Sequence, residues 1–585
     1  MTRYGRNRPR QQQPRWRLDR LTVLLILLFG FSSILVVRLF TLQVLAHGFY
    51  EALASGQHEI EQRLLPDRGE IYAHDRYSDG QLFPLATNEE RFLVYAVPKR
   101  IEDPEDVTEK LESFITLDKE TLLARLSKSD DVYEPIEHNI SVATKEKIEA
   151  LEIDGISFIS EKGRLYPEGS LASQILGFLG MSEDVKKGQY GLEGYFDEEL
   201  AGQQGYLQAE RDAAGRWITV GDRFIQDAKD GDDLILTIDR TLEYTVCTKL
   251  QEAVLKHGAE SGAVVILDPD SGAILAMCGY PDFDPNHYNE VTDLDVFLNP
   301  AISPYEPGSI FKPITMATAV DTGKVTPETT YVDEGSVEVG GFTIRNSDDK
   351  TYGTQTMTEV LEKSLNTGAI FAAQQAGNDV FYDYVKRFGF GEQTGVELGN
   401  ESAGNLGELA SGRDIYVDTA SFGQGITATP LQLAAAYAAI ANGGTLYKPY
   451  IVDEIVKPND FHVKTHPTAV RQVLDPKTST TVSAMLVNVV KNGHGTRAAV
   501  PGYYIAGKTG TAQIPRTDGP GYDPNRTIGS FAGFGPVEDP KFVMVTKIVD
   551  PKDVKFAEST AAPLFGDIAK FLLNYFEVPP SVVGE

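Results

Sequence analysis

Three short constellations in the second half of the chain combine residue types that can carry acyl chemistry. In Pro307-Gly308-Ser309-Ile310-Phe311-Lys312 a serine stands three residues before a lysine at the expected start of a helix. That spacing puts hydroxyl and amine on one face, within hydrogen-bond reach. The amine can take the serine proton if it is neutral part of the time, and burial, the positive end of its own helix and a second nearby cation all push a lysine that way. Ser364-Leu365-Asn366 is expected at the C-terminal end of a helix, where a loop would present one hydroxyl and one amide to a shared cleft. Lys508-Thr509-Gly510-Thr511 lies in a glycine-flanked strand expected over 506–514. Lys508 supplies the second cation, Gly510 allows close backbone approach, and the strand edge can pair with an extended peptide.

Singly, each motif is weak: Ser-x-x-Lys or Ser-x-Asn arises by chance about once in a chain this long. Alone, Ser309 reads as a helix N-terminal residue, Lys312 as a solvated helix charge, and Ser364 and Asn366 as polar residues ending a helix. The ordered set, with gaps of about fifty and then about one hundred and forty residues, carries the functional reading.

The elements that must position these residues are strands at both ends of the C-terminal region with helices between them. The apolar runs 263–267 and 273–277, joined by Asp268-Pro269-Asp270-Ser271-Gly272, predict a hairpin, and 528–535 with 542–549 predict a second. Helical periodicity covers 310–320, 358–365, 431–441, 478–490 and 561–576. The pattern predicts one sheet assembled from distant segments and covered by helices. Upstream, 50–230 reads as an extended, charged α+β region, with helical patterning at 105–117 and 144–151 and a helix between glycine turns after Gly191-Leu192-Glu193. The turn cluster Asp230-Gly231-Asp232-Asp233, followed by a short strand at 234–238, marks the expected boundary.

The chain has 585 residues, 42% of them hydrophobic, enough for more than one packed core, and its formal net charge of -30 argues against nucleic-acid binding. No Walker-type phosphate loop and no paired histidine spacing occur, so neither a nucleotide cofactor nor a metal is expected. Cys247 and Cys278 are the two cysteines; one disulfide is open to them, and two reduced buried thiols are the favoured reading. The uncharged run 21–37 between Arg20 and Arg38, extended by apolar residues to Leu45, predicts a membrane helix. Seven arginines against one aspartate precede it, which places the N-terminus in the cytoplasm and the rest outside. A cleaved signal peptide is the alternative, but Ala52-Leu53-Ala54 lies far beyond the apolar run. The expected plan is a basic tail 1–20, an anchor 21–45, a pedestal 46–230, a catalytic domain 231–576 and a tail 577–585.

At the three motifs the sequence resembles the penicillin-binding and serine β-lactamase superfamily. Tyr305-Glu306-Pro307-Gly308, Lys508 to Gln513, Phe422-Gly423-Gln424-Gly425-Ile426 and Thr429-Pro430-Leu431-Gln432 are similar to class B penicillin-binding proteins, as are Arg68-Gly69 and Gly191-Leu192-Glu193. The resemblance implies an α+β chain: a membrane anchor, a pedestal and a transpeptidase domain built on an antiparallel five-stranded sheet covered by helices. It implies Ser309 as acylated nucleophile, Lys312 as its general base and Ser364 as the proton relay to the leaving amine. Asn366 would hold the substrate amide, Lys508, Thr509, Gly510 and Thr511 would bind the substrate, and backbone N–H groups of Ser309 and Thr511 would form the oxyanion hole. The implied reaction is D,D-transpeptidation of stem peptides ending in D-Ala-D-Ala, with β-lactams as inhibitors, no cofactor, and a multi-spanning glycosyltransferase of the shape, elongation, division and sporulation family as partner. Asn366 and Ser530-Phe531-Ala532-Gly533-Phe534 resemble the division-type branch; the elongation type commonly has Asp at the former position. A D,D-carboxypeptidase or β-lactamase-like hydrolase would share the acylation motifs, and a structural division scaffold would share only the anchor and pedestal.

Overall fold

The computed structural model describes residues 20–41, 59–182, 185–210, 223–516, 519 and 521–581. The arginine-rich segment up to Arg17, the end of the expected anchor at 42–45 and the last residues of the C-terminal tail lie outside the described residues. The first helix is Arg20–Phe40, long and apolar enough to cross a membrane; its 21 residues extend about 31 Å. The chain forms two compact units. The smaller, residues 1–65 and 204–228, contains this helix and an antiparallel sheet in the order Glu59–Leu64, Gly205–Glu210, Arg223–Gln226.

Within the larger unit, an antiparallel sheet runs in the order Ile274–Tyr280, Ser261–Leu267, Phe542–Val549, Tyr522–Gly535, Ala506–Pro515. It is the five-stranded, helix-covered sheet expected from the sequence. Successive side chains on a strand point to opposite faces, and the core divides accordingly. Val264, Ile266, Met544 and Ile548 pack with the helices Arg240–Lys256 and Ala561–Tyr575. Val265, Leu267, Val543 and Val545 join Lys312–Asp321, Pro430–Ala441 and Pro476–Asn492. Because both faces are covered, these strands read as unbroken apolar runs rather than as alternating ones. The strand Ala506–Pro515, which carries Lys508 to Thr511, is an edge.

A second sheet orders His462–Lys464, Val452–Val456, Asp233–Asp239, Ile71–His74, Phe83–Ala96 and Glu134–Ser141, with Ile156–Leu165 also on Phe83–Ala96. The strand expected at 234–238 thus pairs with Ile71–His74 in parallel and with Val452–Val456 antiparallel. Segments on both sides of residue 230 share this sheet. Behind it, Arg68, from the Arg68-Gly69 pair, donates Nε to Glu193 at 2.7 Å, and Arg164 does the same on the other carboxylate oxygen at 2.7 Å. Glu193 has no exposed side-chain surface. Two sequence features that looked local are therefore one buried ion cluster.

Two expectations need correction. The cysteines are bonded to each other, not reduced: Cys247 on Arg240–Lys256 lies against Cys278 on Ile274–Tyr280 with their Cα atoms 5.3 Å apart, a separation that suits a disulfide. The helix at 105–117 is Pro104–Leu111, and a further helix, Lys119–Leu126, begins where the Asp118 carboxylate accepts from the Thr121 amide.

Candidate active site

Ser309 sits in a 3-10 turn, Gly308–Phe311, that runs into the helix Lys312–Asp321. The turn is held from behind by the segment after Ser421. Gly308 donates its amide to Gly423 O at 3.0 Å, and a Cβ on Gly423 would fall 2.2 Å from Gly308 O, so only glycine fits there. The Thr315 hydroxyl donates to Ser421 O at 2.7 Å, and the buried Tyr437 hydroxyl donates to Ile310 O at 2.7 Å. Glu306 accepts from the Gly425 amide at 3.0 Å and from the Tyr522 hydroxyl. The glycine-rich segment 422–426, which the sequence offered without a role, is this cradle.

Lys312 is 1% exposed. Its amine donates to Ser364 O at 2.5 Å, to Asn366 Oδ1 at 2.8 Å and to Ser364 Oγ at 3.2 Å. Lys508, fully buried, reaches the same Ser364 Oγ at 3.0 Å and Thr509 O at 3.0 Å. Burial lowers the Lys312 pKa well below the ordinary lysine value, and the neighbouring Lys508 charge lowers it further. Burial likewise brings Lys508 down to about 7, against the pull of Glu558. No hydrogen bond joins Ser309 to Lys312 among the described residues; the second motif holds the amine instead.

Ser364 closes a helix, as its motif predicts, but Asn366 does not. Ser364 lies between Met357–Glu362 and Asn366–Ala376 with φ +56°, left-handed backbone that costs a serine free energy, and Asn366 opens the second helix. Asn366 accepts from Lys312 through Oδ1 and donates through Nδ2 to Arg345 O at 2.8 Å, so it positions the amine and keeps a single amide N–H open to the cleft. Its own backbone N–H donates to Asn346 Oδ1 at 3.0 Å, and Asn346 is tied to buried Asp333. Neither Asn346 nor Asp333 stands in a motif, so no sequence signal points to them. Lys508, committed to Ser364 and Thr509, is enclosed rather than open to a ligand, which leaves Thr509 and the half-buried Thr511 as the hydroxyls at the strand edge. Among the described residues, Glu243, Cys247 and Cys278 are the one group of potential metal ligands close enough to share an ion, and the two sulfurs are bonded to each other.

Two buried lysines, Lys312 at the start of a helix and Lys508 on the edge strand of a helix-covered five-stranded sheet, meet at Ser364, and this arrangement is that of the penicillin-binding proteins. Residues 262–570 match the penicillin-binding protein transpeptidase domain, and residues 63–236 match the penicillin-binding protein dimerisation domain. The chain belongs to the class B penicillin-binding proteins. It is 34% identical to stage V sporulation protein D of Bacillus subtilis over 95% of this chain and 86% of that one. It is 31% identical to the peptidoglycan D,D-transpeptidase FtsI of Escherichia coli K12 over 86% of this chain and 83% of that one. Penicillin-binding protein 3 of Mycobacterium tuberculosis, complexed with aztreonam, superposes with a TM-score of 0.68 at 26% identity, covering 90% of this chain and 100% of that one.

Proposed function

We propose that the chain is a peptidoglycan D,D-transpeptidase that works through a serine acyl-enzyme, with its catalytic unit outside the cytoplasmic membrane. The observation that carries this is the convergence of two buried lysines, Lys312 and Lys508, on the hydroxyl of Ser364 beside the Ser309 turn. A neutral Lys312 has two hydrogens and one lone pair. With Ser364 O and Asn366 Oδ1 accepting those hydrogens, the lone pair is left for a hydroxyl proton.

In this reading Ser309 Oγ attacks the carbonyl of the D-Ala-D-Ala amide and gives its proton to Lys312, while the backbone N–H groups of Ser309 and Thr511 receive the developing oxyanion. Ser364 hands a proton to the departing amine of D-alanine, and the Lys312 ammonium replaces it. An amine from a second stem peptide then attacks the ester, its proton returns through Lys312 and Ser364, and Ser309 leaves with a hydrogen. Thr509, Gly510 and Thr511 present the strand edge to the extended donor peptide, and Asn366 offers its remaining N–H to the peptide amide. β-Lactams acylate the same serine.

We infer a boundary between pedestal and transpeptidase near residue 230, supported by the matches at 63–236 and 262–570. The cytoplasmic N-terminus rests on the arginine excess before residue 21, and the Cys247–Cys278 disulfide fits a unit outside the cytoplasm. Cross-linking acts on strands that a polymerising enzyme must supply, and the partner proposed for that step is a multi-spanning glycosyltransferase of the shape, elongation, division and sporulation family in the same membrane. Asn366 and the 530–534 segment favour a division role, and the sporulation relative makes spore-wall synthesis the second reading. A fluorescent fusion at midcell in growing cells supports division; confinement to the developing spore supports the other.

The full-length protein in detergent should bind fluorescent penicillin covalently, Ser309→Ala should lose the label with its melting temperature unchanged, and Lys312→Ala should lose nearly all of it. Normal labelling of either folded variant would overturn the assignment.

A further inference from the structure

A pocket of about 170 Å³ lies at the end of the strand Ile156–Leu165, apart from the Ser309 cleft. Its lining includes three cations, Arg91, Arg164 and Lys186, and no carboxylate, in a chain whose net charge is -30. Arg164 stands out. Its side chain is 3% exposed, Nε is spent on Glu193 at 2.7 Å, and both Nη1 and Nη2 are without a hydrogen-bond partner. A guanidinium end buried with its donors unmatched costs free energy, and two terminal nitrogens in one plane form a fork that fits an oxyanion through two parallel hydrogen bonds.

The nearby carboxylates do not fill that role. Glu89 is taken by Arg91, and Glu161 accepts from His138 at 2.7 Å and from the Asn139 amide at 3.2 Å. Lys186 donates to Asn139 Oδ1 and to Lys162 O, which leaves one of its three N–H groups. The Tyr166 hydroxyl is spent between Glu193 and the Leu179 amide, and Asn286 is spent on the Tyr166 backbone. The donors left over are the Arg164 fork, one hydrogen of Lys186, and the two N–H groups that Arg91 does not spend on Glu89 and Asn139 O, with the Asn139 side-chain amide at the exposed rim. The rest of the wall is largely apolar, with Leu179, Met181 and Tyr288. A single planar fork beside apolar walls matches a carboxylate on a short apolar stem, such as a peptide C-terminus. The apolar side of the wall favours that stem over a bare phosphate dianion, which would bury its remaining oxygens against Leu179 and Tyr288.

We propose that this pocket binds the carboxylate of a peptide, with Arg164 as the bidentate partner and Lys186 as the flanking charge. The site would let the unit that carries Ser309 grip a peptide end at a point separate from the chemistry.

The test uses the full-length chain in detergent with 13C-labelled methionine methyls. Met181 lines the pocket, and Met181→Leu identifies its signal among the seven methionines. Titration with N-acetylalanine at fixed ionic strength should shift that methyl saturably, and the uncharged N-acetylalanine methylamide should not. Lys186→Gln, at an exposed rim position, should weaken binding about two- to fivefold. Arg164→Lys, which keeps the charge and loses the fork, should abolish the shift in protein that still melts cooperatively. If Arg164→Lys fails to fold, Lys186→Gln and the methylamide control decide alone. Absence of a saturable shift, an equal response to the methylamide, or unchanged affinity in Lys186→Gln would overturn the proposal. A saturable shift with inorganic phosphate and none with N-acetylalanine would overturn the carboxylate assignment.

Discussion

Gly510 stands so close to Ile310 that a Cβ on it would lie 2.9 Å from the Ile310 backbone nitrogen and 2.9 Å from its Cγ2. The edge strand and the Ser309 turn are packed backbone to backbone, and the absent side chain sets the gap between the serine and the strand that would align its substrate.

Gly510→Ala should therefore push the turn and the strand apart. Neither side can yield by rotating a side chain, because the contacts include the backbone nitrogen of Ile310 and the carbonyl of Pro307. A displacement approaching 1 Å at reacting groups costs about 10²-fold in rate. The second-order rate of penicillin acylation should fall by at least that factor while the variant still folds; an unchanged rate would refute the gap as a catalytic constraint.

Lys508→Ala is expected to act through charge. Burial lowers the Lys312 pKa well below the ordinary lysine value, and the Lys508 cation lowers it further. Removing a neighbouring positive charge raises the Lys312 pKa, so the neutral base appears only at higher pH and the acidic limb of the acylation profile moves upward. Lys508 itself titrates at about 7, so the difference between wild type and variant should be largest below that pH and shrink above it. Slower acylation with an unmoved limb would leave Lys508 a purely geometric role.

What the sequence made legible follows from range. Lys508 with Thr509 is a contact within one strand, and Ser309 and Lys312 share one turn, so spacing alone placed each pair on one element, while the hydrogen bond expected between Ser309 and Lys312 is replaced by those from Lys312 to Ser364 and Asn366. The sheet was legible because its strands are buried on both faces and read as apolar runs. Asn346 behind Asn366, Glu193 between Arg68 and Arg164, and Cys247 against Cys278 are joined across 20, 125, 29 and 31 residues. No local periodicity encodes such pairs. The Ser364 conformation escaped for a different reason: a left-handed serine has no composition signal, and it ends one helix where the pattern ran on.

Glu193 leads to a stability prediction. Burial alone would raise its pKa, but the Arg164 and Arg68 charges outweigh it and hold the carboxyl below the ordinary range. A depressed folded pKa contributes stability that is present above the unfolded value and lost as pH falls through the folded one. Glu193→Gln should cost about 3–5 kcal/mol at neutral pH, because it leaves two buried guanidinium groups facing an uncharged amide. Its stability should also fall less than that of wild type on acidification below about pH 4. Urea denaturation of the two full-length proteins from pH 7 to pH 3 measures both effects, and parallel curves would exclude the cluster as the source.

Glu243 has the opposite sign. Its carboxyl is buried beside the Cys247–Cys278 pair, accepts a hydrogen bond from the Met277 amide at 2.8 Å, and has no cation against it among the described residues. Desolvation pushes its pKa up to about 7. A carboxyl that binds its proton more tightly when folded contributes stability at low pH and loses it as pH climbs from the unfolded value, near 4.3, to the folded one. The loss amounts to roughly 3 kcal/mol by pH 7. Glu243→Gln keeps an acceptor for Met277 and cannot ionise, so its stability should hold nearly level between pH 5 and pH 7 while that of wild type declines. Thermal unfolding of both proteins across that interval, with the disulfide kept oxidised, is the measurement. Equal slopes would mean that Glu243 is ionised in the folded protein at neutral pH, and that its charge is offset by something other than the Met277 amide.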